Sequence, residues 1–300
     1  IISYGIPLYF SILLTGFIPL YQNVVLAIFT TDADVGNYKA AANFISLMAV
    51  LTVPITTVLL PAFSKLNSSS PHKVRTFYQL ANKYTTLMIV PVAFFSIVFS
   101  REIVPIIYGS TYDMAPLFLV TYCLLYLLVG FGYLVLPSFF NGLGETKITL
   151  KMSLITFAIL AVLSPIQTKF YGVQGLIAAA IIANTASTTY GLRVARKSYR
   201  ILLNARGLLK IYLNSVVSGI PALLILHFLN SSLLLKTIIG GATYLFMYVT
   251  LTPVTATVSL AELEKALAIT KKVSVFAPIA KPVLLYQKRL CVRFSNSREP

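Results

Sequence analysis

Long apolar runs alternate with short polar interruptions along the chain. Windows nearly free of charge recur at 6–29, 38–61, 84–107, 114–140, 150–168, 172–192, 208–229 and 237–256. Each is close to the roughly 20 residues a helix needs to cross a hydrocarbon core. The pattern predicts an all-α integral membrane protein with eight transmembrane helices, the fifth shortened by Pro165, Gln167 and Lys169. Turn chemistry separates the windows: TTDADVGNY after the first, SKLNSSSPHK after the second, YGSTYDMAP before the fourth and NGLGETK after it. These loops leave no room for a soluble domain. Prolines fall inside or at the ends of most windows, either to bend helices around a cavity or because neighbouring helices satisfy the freed carbonyls.

Within the windows the polar positions are few and patterned. Gln22 and Asn23 sit in the first, while Lys39, Asn43 and Ser46 follow one another at helical spacing on the second, as do Tyr122, Tyr126 and Tyr133 on the fourth. Offsets of four and seven put each set on one helix face. Tyrosine rings stack on sugars and donate hydrogen bonds, and they also serve as bundle packing or as an interfacial belt. Lys39 is read either as a point charge for an anionic headgroup, with Asn43 and Ser46 below it, or as an anchor that snorkels to the outer surface. The sixth window carries Gly175, Ala179, Ala183, Ser187 and Gly191, a small residue at every fourth position, which predicts a tight helix seam. Its polar run Asn184, Thr185, Ser187, Thr188 and Thr189 either lines a cavity or bonds to neighbouring helices and to its own backbone.

Charge supplies the orientation. The composition is 57% hydrophobic and only 11% charged, with a net charge of +16. Of the 24 basic residues, only Lys39, Arg101, Lys169 and Lys236 fall opposite the side that collects all the others. The positive-inside rule makes the crowded side cytoplasmic, with both chain ends there, in a multi-pass protein of the cell membrane. The basic residues lie in short loops beside spans, which argues against a nucleic-acid partner and for anionic membrane lipids. Cys123 lies in a span and Cys291 in the tail, so no disulfide framework is expected. The start at Ile1-Ile2, without methionine or a charged leader, predicts the C-terminal part of a longer protein.

Catalytic chemistry is sparse. The acids Asp32, Asp34, Glu102, Asp113, Glu145, Glu262, Glu264 and Glu299 all stand at span ends, in loops or in the tail. His72 is in a loop, and His227 has no acid close to it in sequence. Zinc-ligand spacings, a phosphate-binding glycine loop and a nucleophile elbow are missing from the sequence, so neither an enzyme nor a cofactor is expected. The adjacent Asp32 and Asp34 keep a membrane glycosyltransferase or polymerase subunit as a weaker alternative. Beyond the eighth window, Ser259 and Glu262 have capping-box spacing and mark a helix start. The segment KPVLLYQKRLCVRF reads as an amphipathic tail on an anionic surface.

The run from YQNVVLAIFTTDADVGNYKAAANF through VPITTVLLPAFSKL resembles the seventh and eighth helices of polysaccharide and lipid-linked oligosaccharide flippases. These belong to the multidrug/oligosaccharidyl-lipid/polysaccharide (MOP) exporter superfamily. EIVPIIYGSTYDMAPLFL, LPSFFNGLGETK and KFYGVQGLIAAAIIANTAS follow in family order, so the likeness covers about residues 4–255. It implies that the eight helices are numbers seven to fourteen of such a flippase. Residues 1–200 would then be the C-terminal six-helix lobe, 201–257 two additional transmembrane helices, and 258–300 a basic cytoplasmic tail. The implied activity is translocation of a polyprenyl-linked saccharide by alternating access of two lobes, with the N-terminal lobe as partner. A multidrug or cation antiporter of the same superfamily is the alternative. Where relatives often carry an acid in the seventh helix, this chain has Asn23, which cannot carry a proton. Gln22, Asn23, Lys39, Asn43, Ser46, Tyr122, Tyr126 and Tyr133 are the substrate-path candidates.

Overall fold

A computed structural model describes residues 2–66, 71–270 and 277–296. Lys271, Lys272, Arg298, Glu299 and the centre of the 64–73 loop lie outside the described residues. All regular structure among the described residues is helical, and the chain divides into two units, Ile1–Asn204 and Ala205–Pro300.

The first unit opens with α1, Ile2–Phe29, and α2, Asp32–Ser64. A reciprocal cap starts α2: Asp34 N–H donates to Thr31 Oγ1 and Thr31 N–H donates to Asp34 Oδ2, both at 3.2 Å. Asp34 is thereby committed to the helix end, and Asp32 lies in the same first turn, where the helix dipole favours acids. This local role accounts for the acidic pair without catalysis. Next come α3, Pro71–Val98, and the nine-residue α4, Ser100–Tyr108. The predicted third window, 84–107, therefore straddles a boundary at Phe99. Its helix starts at Pro71 because a helix extends through a charged turn such as Lys73 to Arg75 while apolarity alone does not mark it.

The predicted fourth span is broken. α5, Ala115–Tyr126, runs into a 3₁₀ turn, Leu127–Phe131, and α6, Val135–Gly142, follows at an angle of 43°. Gly132 makes the break at φ 93°, and a Cβ there would run into the Tyr78 hydroxyl. Asn82 Nδ2, buried on α3, donates to Gly130 O at 2.8 Å and holds the turn in place.

The 54-residue α7, Thr146–Tyr199, is two helices joined at Gly172, where φ 58° and ψ −144° leave helical space. The halves pack antiparallel. Ser187 Oγ donates to Met152 O at 2.9 Å, Gly191 faces the Met152 side chain, and Gly175 lies against the Gln167 backbone. Gly175, Ala179, Ala183, Ser187 and Gly191 are all buried, so the predicted small-residue seam is where the halves meet.

α1 docks along α6 and the first half of α7. Tyr4 Oη donates to Asn141 O, Thr146 Oγ1 donates to Tyr4 O, Ser11 and Ser153 share a 2.9 Å bond, and Tyr21 Oη donates to Ala161 O at 2.8 Å. Two apolar clusters fill the unit. One joins Leu26, Ala41, Leu119 and Leu176; the other stacks Phe63, Tyr78 and Phe139 edge to face, with centroids 5.2 to 5.3 Å apart. The outer face of α1 leaves Ile6, Phe10 and Ile28 uncovered, as lipid contact requires.

The second unit pairs α8, Ala205–Phe228, with α9, Leu233–Val254. Asn214 Nδ2 donates to Thr255 Oγ1 and Thr257 Oγ1, which ties the middle of α8 to the turn beyond α9. The Ser259–Glu262 pair forms the reciprocal cap its spacing indicated and starts α10, Leu260–Thr270. α11, Ala277–Asn296, lies against α9: Tyr286 stacks on Phe246 and bonds Thr250, and Gln287 Nε2 donates to Val249 O and Thr252 Oγ1. Part of the expected surface tail is thus packed on protein.

Five of the described helices are long and apolar enough to cross a membrane, α7 being one of them, and seven if each of two bent pairs, within α2 and across α5–α6, is one span. The chain is a multi-pass membrane protein.

Candidate functional site

Where α1, α6 and both halves of α7 diverge, the first unit has an open-sided cavity of about 590 Å³. α1 contributes Ser11 and Thr15, α6 Ser138 and Asn141, the first half of α7 Thr149, Ser153 and Thr156, and the second half Asn184, Ser187 and Thr188. The α5–α6 break adds Tyr133, and α2 reaches the wall with Thr56. No carboxylate lines it.

The wall has a definite hydrogen-bonding polarity. Thr15 donates to Ser11 O, Thr56 to Val53 O, Thr156 and Ser187 to Met152 O, and Asn184 Nδ2 to Ala180 O. These protons are committed to the backbone, so oxygen lone pairs are what the side chains retain for a ligand. Asn141 Oδ1 and Thr149 Oγ1 are buried on the wall and have no partner among the described residues. Leaving a buried polar atom unpaired costs about 1–3 kcal/mol, which a ligand that donates hydrogen bonds would recover. The wall therefore suits a polyol better than an anion.

A second cavity of about 350 Å³ lies beside it and shares Thr188. Leu128 and Phe131 of the 3₁₀ turn line it, together with Thr185, Thr189, Leu192, Arg193 and Arg196 of α7. Every member of the polar run 184–189 named from sequence faces one of the two cavities, and Asn184, Thr185 and Thr189 also bond back to their own helix. The two readings of that run hold together.

The eight path candidates are not brought together. Of the eight, Tyr133 alone lines either of these two cavities, and it stands past the 3₁₀ turn, so the expected single-helix tyrosine face is split. Tyr122 and Tyr126, on α5, pack against the Leu26–Leu119 cluster, and Tyr122 pairs with Tyr38 with rings 6.2 Å apart. Gln22 is buried while its neighbour Asn23 is exposed. Lys39, Asn43 and Ser46 are exposed on α2, where Asn43 Nδ2 donates to the Tyr108 hydroxyl at 3.2 Å and Ser46 Oγ to Asn43 O at 2.6 Å. The sequence reading missed Ser11, Ser138, Asn141, Thr149 and Ser153. For Ser11, Ser138 and Ser153 the only signal was a hydroxyl inside an apolar window, and Asn141 and Thr149 fall in the gap between the fourth and fifth windows.

Residues 1–116 match a family model described as polysaccharide biosynthesis protein. No curated protein matches the chain. Among solved structures, the fold is similar to that of the lipid II flippase MurJ in an inward closed conformation. The TM-score is 0.67 at 19% identity, over 81% of this chain and 52% of MurJ, so the chain spans about half the length of that structure. A MOP superfamily transporter from Pyrococcus furiosus matches with TM-score 0.47 at 15% identity, over 98% of this chain and 76% of that one. An outward-facing multidrug resistance MATE family transporter of the same superfamily matches with TM-score 0.39 at 14% identity, over 95% and 72%. The fold is the one seen in the MurJ structure.

Proposed function

We propose that the chain is the C-terminal lobe, with two added helices, of a flippase that carries a polyprenyl-linked saccharide across the cell membrane by alternating access. The observation that carries this reading is the acceptor-rich cavity of about 590 Å³ inside a fold shared with a lipid II flippase. Saccharide hydroxyls are donors, and the wall offers Asn141 Oδ1, Thr149 Oγ1 and the lone pairs of Thr15, Thr156 and Ser187 to receive them. Occupancy relieves atoms that the empty wall leaves unpaired. A cationic drug would instead want a carboxylate, and neither cavity has one.

In this reading the two halves of α7 cross separately, which with α1, α2, α3, α5–α6, α8 and α9 makes eight crossings with both ends cytoplasmic. An N-terminal lobe supplies the opposite wall, and rocking of the lobes exposes the cavity to each leaflet in turn. The test is reconstitution in vesicles with a lipid-linked saccharide whose outer-leaflet fraction is read by an impermeant probe. The two-lobed protein should translocate it, and the 300-residue chain alone should insert without doing so. Asn184→Ala with Thr149→Val should slow translocation by the two-lobed protein at least tenfold. Translocation by the lone chain would overturn the lobe assignment, and unchanged rates in the double variant would remove the cavity from the path.

A further inference from the structure

The cavity beside the Thr188 wall has a chemistry of its own. Arg193 and Arg196, three residues apart on one face of α7, both line it, and neither forms an ion pair among the described residues. Thr185 donates its hydroxyl to Ile181 O and Thr189 donates to Thr185 O, each at 2.7 Å. Those hydroxyls cannot also serve an anion, so the guanidinium groups are the donors built for one. They carry fixed charge and a planar fork that matches two oxygens of one phosphate. Leu128, Phe131 and Leu192 supply the apolar part of the lining.

Taking Arg193 and Asn184 as the two ends, nine residues of helix separate cation from polyol wall, roughly 14 Å along the axis. Thr188 belongs to both cavities, so the surface between them is continuous. A single ligand fits this order: a saccharide on the hydroxyl wall, a phosphate linkage at the arginines and the first apolar units of a prenyl chain over Leu128 and Phe131. We infer that Arg193 and Arg196 form the site for the phosphate linkage of the lipid-linked saccharide. The inference rests on the transport reading above and names which residues recognise the anionic part. Other basic side chains on the same side, such as Lys197 and Arg206, line neither cavity.

Phosphate also occurs in bilayer headgroups, so the test separates the two sources. The full chain, purified in a neutral detergent, is titrated by calorimetry with farnesyl diphosphate, with farnesol, and with farnesyl diphosphate in competition with phosphatidylglycerol. Farnesyl diphosphate should bind, weaken with rising salt, and exceed farnesol at least tenfold. Arg193→Ala with Arg196→Ala should weaken it at least tenfold, since two charge-assisted contacts are lost. Arg193→Lys with Arg196→Lys should fall between, keeping charge without the fork. Lys197→Ala with Arg206→Ala removes the same charge elsewhere and should stay within twofold.

Equal binding by the alanine pair, an equal loss in the Lys197/Arg206 control, or full competition by phosphatidylglycerol at equal mole fraction would each overturn the site. Should the alanine pair not fold, the lysine pair and the salt series decide: affinity that ignores both refutes it. The two readings fail separately. If prenyl diphosphate binds through the arginines but the two-lobed protein moves no saccharide, the transport reading falls; if Asn184→Ala blocks transport while binding ignores the arginines, the phosphate site falls.

Discussion

Gly175→Ala should destabilise the first unit by about 2 kcal/mol while Gly191→Ala, the same change on the same seam, should be close to neutral. The difference lies in what each new methyl meets. At Gly175 a Cβ would land on the backbone carbonyl of Gln167, closer than real Cβ atoms come to any neighbour. Backbone cannot rotate away, so the two halves of α7 must separate near their turn. Overpacking against a rigid obstacle falls at the upper end of its usual range, about 3 kcal/mol. The helix preference of alanine over glycine returns up to ~1 kcal/mol, leaving the net loss. At Gly191 the methyl would sit 2.7 Å from Met152 Sδ and 3.3 Å from Leu136 Cδ1. Methionine has three rotatable bonds and can swing aside for ~1 kcal/mol or less, which the same helix preference offsets.

The assay is an equilibrium titration from neutral detergent into SDS, followed by circular dichroism, on both variants and wild type. The wedge also has a local consequence, because Ser153 and Thr156 on one half face Asn184 and Thr188 on the other across the larger cavity. Equal losses in the two variants, or a greater one for Gly191→Ala, would refute backbone contact between the halves and with it the fold-back at Gly172.

Gly132→Ala should destabilise the α5–α6 break, since φ 93° disfavours any side chain and the methyl would meet the Tyr78 hydroxyl; adding Tyr78→Phe should restore part of the loss in the same titration, and no restoration would dismiss the steric half of the argument. In whole cells, with Cys291→Ser to lower background, an impermeant thiol reagent should label Ala33→Cys and spare Lys197→Cys, and the reverse pattern would invert the orientation. Lys39→Ala in the two-lobed protein should cut transport strongly with expression unchanged, and Lys39→Arg should retain part of it. Wild-type transport by Lys39→Ala would reduce that lysine to a membrane anchor.

How much of this was legible before folding depended on how local the cause was. The small-residue seam and the Ser259–Glu262 cap are each decided within a few turns of chain, and each stands where its pattern put it, while the apolar windows marked membrane helices without marking the boundary at Phe99 or the break after Tyr126. The Thr31–Asp34 cap is equally local and was overlooked because two adjacent acids drew a catalytic reading. The break after Tyr126 had its glycines in view, Gly130 and Gly132, yet what holds it is Asn82 and Tyr78 from another helix.

The cavity shows why a polar stripe is a weak guide to a path. Offsets of four and seven place Lys39, Asn43 and Ser46 on one face of α2 without saying what that face meets; Asn43 bonds Tyr108 of α4, and none of the three lines either cavity described above. Ser11, Asn141, Thr149 and Asn184 come from distant stretches of chain with no shared spacing, and they converge because α1 is docked on α6 and α7 through Tyr4, Ser11 and Tyr21. The docking bonds at Ser11 and Ser153 are themselves part of the wall. One set of hydroxyls thus fixes the helices and defines the donor-poor surface a saccharide would meet. A substitution chosen to test binding there, Ser11→Ala for instance, would also loosen the lobe. Asn184 and Thr149 are the sounder probes, because Asn184 bonds only within its own turn and Thr149 Oγ1 bonds nothing among the described residues.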